Sequence, residues 1–171
     1  MSYKEWKSPR NIIMGALLAV LASVIQASNL YLPLLGISLS AFSTLFVALS
    51  GYLNIITGLL TYLVSAVILL SWGLPNALIF MCSSGLLGFC LGVLLKRGYQ
   101  FYAVAVMSSV CLSCGILTAG YIIGVPILPW LVADKRMFLF PILLTGSFVY
   151  TAVWMGLLNY VLLRLKDHVN I

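Results

Sequence analysis

The stretch Asn11 to Ser28, NIIMGALLAVLASVIQAS, decides the fold, because its two sides are built of different material. Wound as an α-helix at about 100° per residue, it gathers Gly15, Ala16, Ala19, Ala22, Ser23, Gln26 and Ala27 into one arc of less than half the circumference. Ile13, Met14, Leu17, Leu18, Val20, Leu21, Val24 and Ile25 take the rest, with Ile12 the one bulky residue on the small side. A helix at a water surface sorts apolar from polar; this one sorts large from small. Such sorting suits a helix whose faces are both in an apolar medium, one against lipid tails and one against a helix whose backbone must come close. The small edge either packs on neighbours in the same chain or forms a docking groove for a separate subunit, and its composition fits both.

Composition places the whole chain in that medium. Of 171 residues, 63% are hydrophobic and 7% charged, with a mean hydropathy of +1.17. A soluble domain carries roughly a quarter charged residues, so nine Lys and Arg with three acids cannot wet a surface of this size. The expectation is a multi-pass protein of a bacterial cytoplasmic membrane, in contact with lipid. The acids are Glu5, Asp134 and Asp167, and none lies between residues 6 and 133. The net charge of +6 sits in clusters at segment ends, so it reports topology, not a nucleic-acid partner. Cys82, Cys90, Cys111 and Cys114 lie inside apolar runs and imply no disulfide framework. The basic N-terminus followed by about 18 apolar residues without an A-x-A site reads as an uncleaved first transmembrane helix.

Punctuation then predicts an all-α bundle of six transmembrane helices in one domain, 1–171, at about 11–28, 38–50, 54–71, 76–95, 100–124 and 138–163. Pro33 and Gly36 interrupt the chain after the first helix, leaving an apolar loop able to fold back toward the membrane surface. Ser50-Gly51-Tyr52-Leu53-Asn54 is the one break between the second and third helices, and the second is short for a bilayer about 30 Å thick. Gly85, Gly88 and Gly92 share one side of the fourth helix, a second seam for close packing. Lys4, Lys7, Arg10, Lys96, Arg97, Arg164 and Lys166 fall on one side of this arrangement, and Lys135 and Arg136 on the other. The positive-inside rule then makes both termini cytoplasmic.

No phosphate loop, metal-ligand cluster, serine elbow or carboxylate pair is present, so neither an enzyme nor a cofactor is expected. No interior acid or base exists to couple transport to an ion by charge. The C-x-x-C at Cys111 and Cys114 has no basic residue within ten positions to activate a thiol; it reads as two small buried hydrophobes. Residues of the outer half form a more coherent group: Asn29, Tyr31, Trp72, Asn76, Tyr121 and Trp130, with Thr145, Ser147, Tyr150 and Thr151 of the last helix. Aromatic walls with convergent polar groups suit a small-molecule pocket, although Trp and Tyr also gather at interfaces as anchors.

The small-residue first helix after a basic N-terminus, ALLAVLAS, and LPNALIFMCSSGLLGFCLGVLLKRG in the fourth resemble the S components of energy-coupling factor (ECF) vitamin transporters along most of the chain. The resemblance implies a substrate-binding subunit that captures a vitamin or related micronutrient outside, without its own ATPase. It also implies a T component and two ATPase subunits as partners. The family's A-x-x-x-A docking pattern falls on Gly15, Ala19 and Ser23 here, with glycine in place of the first alanine. Candidate substrate contacts are Asn29, Tyr31, Trp72, Asn76, Tyr121, Trp130 and Tyr150. With no acid inside the bundle, the ligand is expected to be neutral or anionic. The alternatives are a membrane scaffold of the rod-shape type, which needs no catalytic groups, and a thiol–disulfide oxidoreductase.

Overall fold

Proline, asparagine and serine decide where the helices begin and break. The structure, a computed structural model, describes residues 9–32, 35–123 and 136–169, and these are helical without strands. Pro9 opens α1 (Pro9–Tyr31) at a position where its missing N–H costs nothing. After Leu32 the chain folds back as α2 (Leu35–Ala41) and α3 (Ser43–Leu53). Gly36 lies against the Ser28 carbonyl and the Asn29 Cα, an approach that a Cβ would block. Asn54 both closes α3, its N–H bonding Ser50 O, and opens α4 (Ile55–Leu70), its side chain accepting from Ile56 N at 3.1 Å. Gly73, at φ +135°, and Pro75 turn the chain into α5 (Leu74–Cys82), which continues as α6 (Ser84–Lys96). Then come α7 (Phe101–Leu117), a π-helical turn (Thr118–Ile123) and α8 (Arg136–Val169).

Four stretches are long and apolar enough to cross a membrane: Pro9–Tyr31, Leu74–Lys96, Phe101–Gly120 and Phe140–Arg164. Ser38–Leu53 and Ile55–Leu70 are shorter. At about 1.5 Å per residue the latter reaches about 24 Å, against about 30 Å of hydrocarbon.

Two breaks depart from the expected helices. The second helix, expected over 38–50, starts at Leu35 and is divided at Phe42, where Phe42 N bonds Leu39 O and Leu45 N bonds Phe42 O. These three-residue closures tighten the winding locally. The fourth helix, expected unbroken over 76–95, is divided at Ser83, whose hydroxyl donates back to Ile79 O. A serine bonding its own helix in this way competes with the backbone ladder and bends it.

The tightest seam joins α3 to α6. A Cβ at Gly88 would stand 2.5 Å from Thr44 O and 3.0 Å from Val47 Cβ; one at Gly92 would collide with Ala48 O. Contacts advance together along both helices, 44 with 88 and 48 with 92, so α3 and α6 run in the same direction. The same holds for α1 and α4. Thr61 Oγ1 donates to Gly15 O at 3.0 Å and Ser65 Oγ to Ala19 O at 3.1 Å. Lys96 Nζ reaches Leu53 O, the last carbonyl of α3, at 2.6 Å, a favourable place for a cation at a helix C-terminus. This puts Lys96 at the end of the bundle where α4 begins.

Overpacking a close seam costs about 1–3 kcal/mol, so Gly92→Val is expected to lower the thermal midpoint of the detergent-solubilised chain by several degrees. Gly156→Val is the control, since among the described residues nothing lies within 4 Å of a Cβ placed there. Fluorescence-detected size exclusion after heating reads both.

Candidate functional site

The largest buried polar side chain of α1 is Gln26, 3% exposed, on the same edge as Gly15, Ala19, Ala22 and Ser23. A carboxamide inside an apolar bundle must find partners or carry a desolvation cost. Its Oε1 accepts from Ser43 Oγ at 2.8 Å and from Ser84 Oγ at 3.1 Å. Ser43 is the first residue of α3 and Ser84 the first of α6. One amide on α1 thus ties together the two divided helices immediately after their breaks.

The break at Phe42 also turns a second group toward α8. Phe42 meets Trp154 edge-on with centroids 5.3 Å apart, and Tyr150 meets Trp154 at 6.0 Å. Beneath them lie Leu87, Leu91, Leu112, Met155 and Leu158, all buried. One hydroxyl of this neighbourhood, Thr151 Oγ1, is buried without a hydrogen-bond partner among the described residues, as is Ser108 Oγ on α7; Thr44 Oγ1, also buried, has the Tyr150 hydroxyl as its polar neighbour. Thr151 and Ser108 differ from Ser23, Ser50, Ser109, Ser113 and Thr145, whose hydroxyls each fold back onto a carbonyl of their own helix. An unmade hydrogen bond in an apolar interior costs about 1–3 kcal/mol, so Thr151 and Ser108 have unused capacity.

The residues expected at a pocket are dispersed. Asn76 is buried beside Ala77 and Phe80, while Asn29 is half-buried at the end of α1. Tyr31, 72% exposed, and Trp72, 38% exposed, face outward, as interface anchors do. Tyr150 belongs to the aromatic group on α8. The side chain of Tyr121 and the whole of Trp130 lie outside the described residues. Gln26, Phe42, Ser43, Thr44, Ser84 and Trp154 were not among the expected contacts. Gln26 carried a signal, as the one amide in the small arc, and Trp154 follows Tyr150 by one helical turn.

Gly15, Ala19 and Ser23, expected to meet a partner's helices, face α4 of the same chain. Ala19 and Ser23 are fully buried, and a Cβ at Gly15 would stand 2.7 Å from Thr57 Cγ2. The small edge is filled from within the chain, and the surface that α1 leaves open carries Ile12, Ile13, Leu17, Val20, Leu21 and Val24. Leu18 is buried on the small side, and Ala16 is exposed.

Comparison with protein-family models, curated proteins and solved structures returns no match for this chain.

Gln26→Leu removes the acceptor of two buried hydroxyls, and polar contacts between membrane helices are worth about 0.6–1.7 kcal/mol. The expected result is a loss of about 1 kcal/mol of stability in steric-trap unfolding. Adding Ser43→Ala and Ser84→Ala should restore part of it, because the stranded donors are then gone. Additive losses in the triple variant would show that the three groups do not act together.

Proposed function

We propose that the chain is a six-span membrane protein acting as the substrate-binding subunit of an ECF-type importer. In this reading both termini are cytoplasmic and the charge-rich helix ends, Arg10, Lys96, Arg97 and Arg164, face inward. The antiparallel reversals at Asn54 and Gly73 and the parallel pairs α1/α4 and α3/α6 support alternate crossing of the bilayer. Recognition takes place away from the basic end, near Phe42, Tyr150 and Trp154. A neutral or weakly anionic micronutrient fits, since residues 11–95 contain no charged side chain to meet a cation. The subunit has no energy-coupling group in its spans and draws power from a T component with two ATPases. The observation that carries the reading is a set of buried hydroxyls beside that aromatic group: Thr44, whose polar neighbour is the Tyr150 hydroxyl, and Thr151, which has no hydrogen-bond partner among the described residues. Polar capacity without charge is what binding without ion coupling requires.

A specific observation favours a second reading, a structural scaffold. The edge of α1 that resembles a docking surface is occupied by α4, so coupling to a T component would need another face.

Native mass spectrometry of the purified chain, with co-purification from its own membranes, tests the choice. The importer reading expects a retained small molecule and a co-purifying ATPase pair, and Thr44→Val with Thr151→Val should lower ligand retention at least tenfold. Cell-wall synthesis proteins in place of the ATPases, with no retained molecule, would establish the scaffold instead.

A further inference from the structure

The four cysteines pair differently in space than in sequence. Cys111 and Cys114 form the local C-x-x-C, yet Cys111 Sγ lies 3.2 Å from Cys90 Sγ of α6, a residue 21 positions away. Cys114 is exposed, and all four thiols are free. Formation of an S–S bond of about 2.05 Å asks the two sulfurs to close by about one ångström. The helices around them hold that proximity. Gly115 of α7 sits directly on the Cys82 carbonyl, with Leu86 Cδ2 3.0 Å from where its Cβ would be. A side chain there would push α7 away from α6, and glycine keeps the sulfurs together.

The surroundings select the oxidant. Both thiols belong to stretches apolar enough to span a membrane, Leu74–Lys96 and Phe101–Gly120. From residue 98 to 133 there is no Lys, Arg, Asp or Glu, and Cys90 lies six positions inside the helix end at Lys96, so the pair sits in the apolar part of both helices. A lipid-soluble two-electron acceptor partitions into that part, and a charged aqueous disulfide such as oxidised glutathione does not. We propose that Cys90 and Cys111 are an oxidisable dithiol within the bundle, closed to a disulfide that ties α6 to α7 by a quinone dissolved in the bilayer. Two S–H bonds break and one S–S bond forms; the two protons and two electrons reduce the quinone to the quinol. The inference stands apart from the transport reading, because it uses neither the aromatic group nor a partner subunit.

The test uses the full chain in lipid nanodiscs, incubated without oxygen with ubiquinone-1. Maleimide-reactive thiols, counted after denaturation, should fall from four to two. Non-reducing proteolysis should yield one peptide pair joining Cys90 to Cys111, reversed by a phosphine reductant. Cys114→Ser should close as the parent does, its labelled thiols falling from three to one, whereas Cys90→Ser and Cys111→Ser should not close. Four free thiols after quinone treatment of the parent chain would overturn the proposal, as would a Cys111–Cys114 linkage. Because the decisive mapping is done on the unsubstituted chain, a variant that fails to fold does not rescue it.

Discussion

Close backbone contact between helices is the constraint on which the rest of this structure depends. In lipid, exchanging a Leu–lipid contact for a Leu–Leu contact gains little, so helices associate through packing and hydrogen bonds instead. The chain meets this with small residues at the seams and bulky ones outside. Gly88 and Gly92 let α6 lie on the backbone of α3, and Gly15 and Ala19 do the same for α1 on α4. The exposed faces carry Leu, Ile, Val and Phe, which would be a liability in water and are ordinary against acyl chains.

The large-from-small sorting of α1 was legible in the sequence, as was the glycine series of α6. Both are one-dimensional patterns along a single helix. The identity of the facing helix was not legible, because a small surface admits any close neighbour. Its partner did leave a trace in Thr57, Thr61 and Ser65, three hydroxyls at helical spacing that project onto Gly15, Ala19 and Ser23. A hydroxyl series is easily taken for scattered polarity in an otherwise apolar run. Here it supplies donors to α1 carbonyls that already accept within their own helix.

The breaks at Phe42 and Ser83 explain why the candidate site was harder to find than the fold. Neither break carries Gly or Pro, the usual punctuation; one is a tightened turn and the other a serine bonded back to Ile79 O. Composition therefore predicted two plain helices and placed the pocket among loop aromatics. Tyr31 and Trp72 turned outward because an amphipathic ring at a helix end is best placed between oil and water. Ser43, buried just after a break, and Phe42, whose exposed ring meets Trp154 at that break, were missed for the same reason. The cysteines repeat the lesson: spacing along a helix put Cys111 with Cys114, and packing put it with Cys90.

The two seams are not independent. Van der Waals packing of small residues tolerates sliding, since one flat surface fits another at several offsets. Directional bonds do not, and a single buried polar group can set register where apolar contact cannot. Gln26 continues the edge that holds α1 to α4, and its Oε1 bonds the opening residues of both α3 and α6. A slip of either pair by one helical turn, about 5.4 Å, would pull Ser43 or Ser84 out of reach and leave the amide oxygen short of a donor. The parallel pair α1/α4 is thereby indexed to the parallel pair α3/α6. Phe42, the residue before Ser43, is placed against Trp154 by the same indexing. The polar node and the aromatic group are two consequences of one register, chosen where the helices are interrupted.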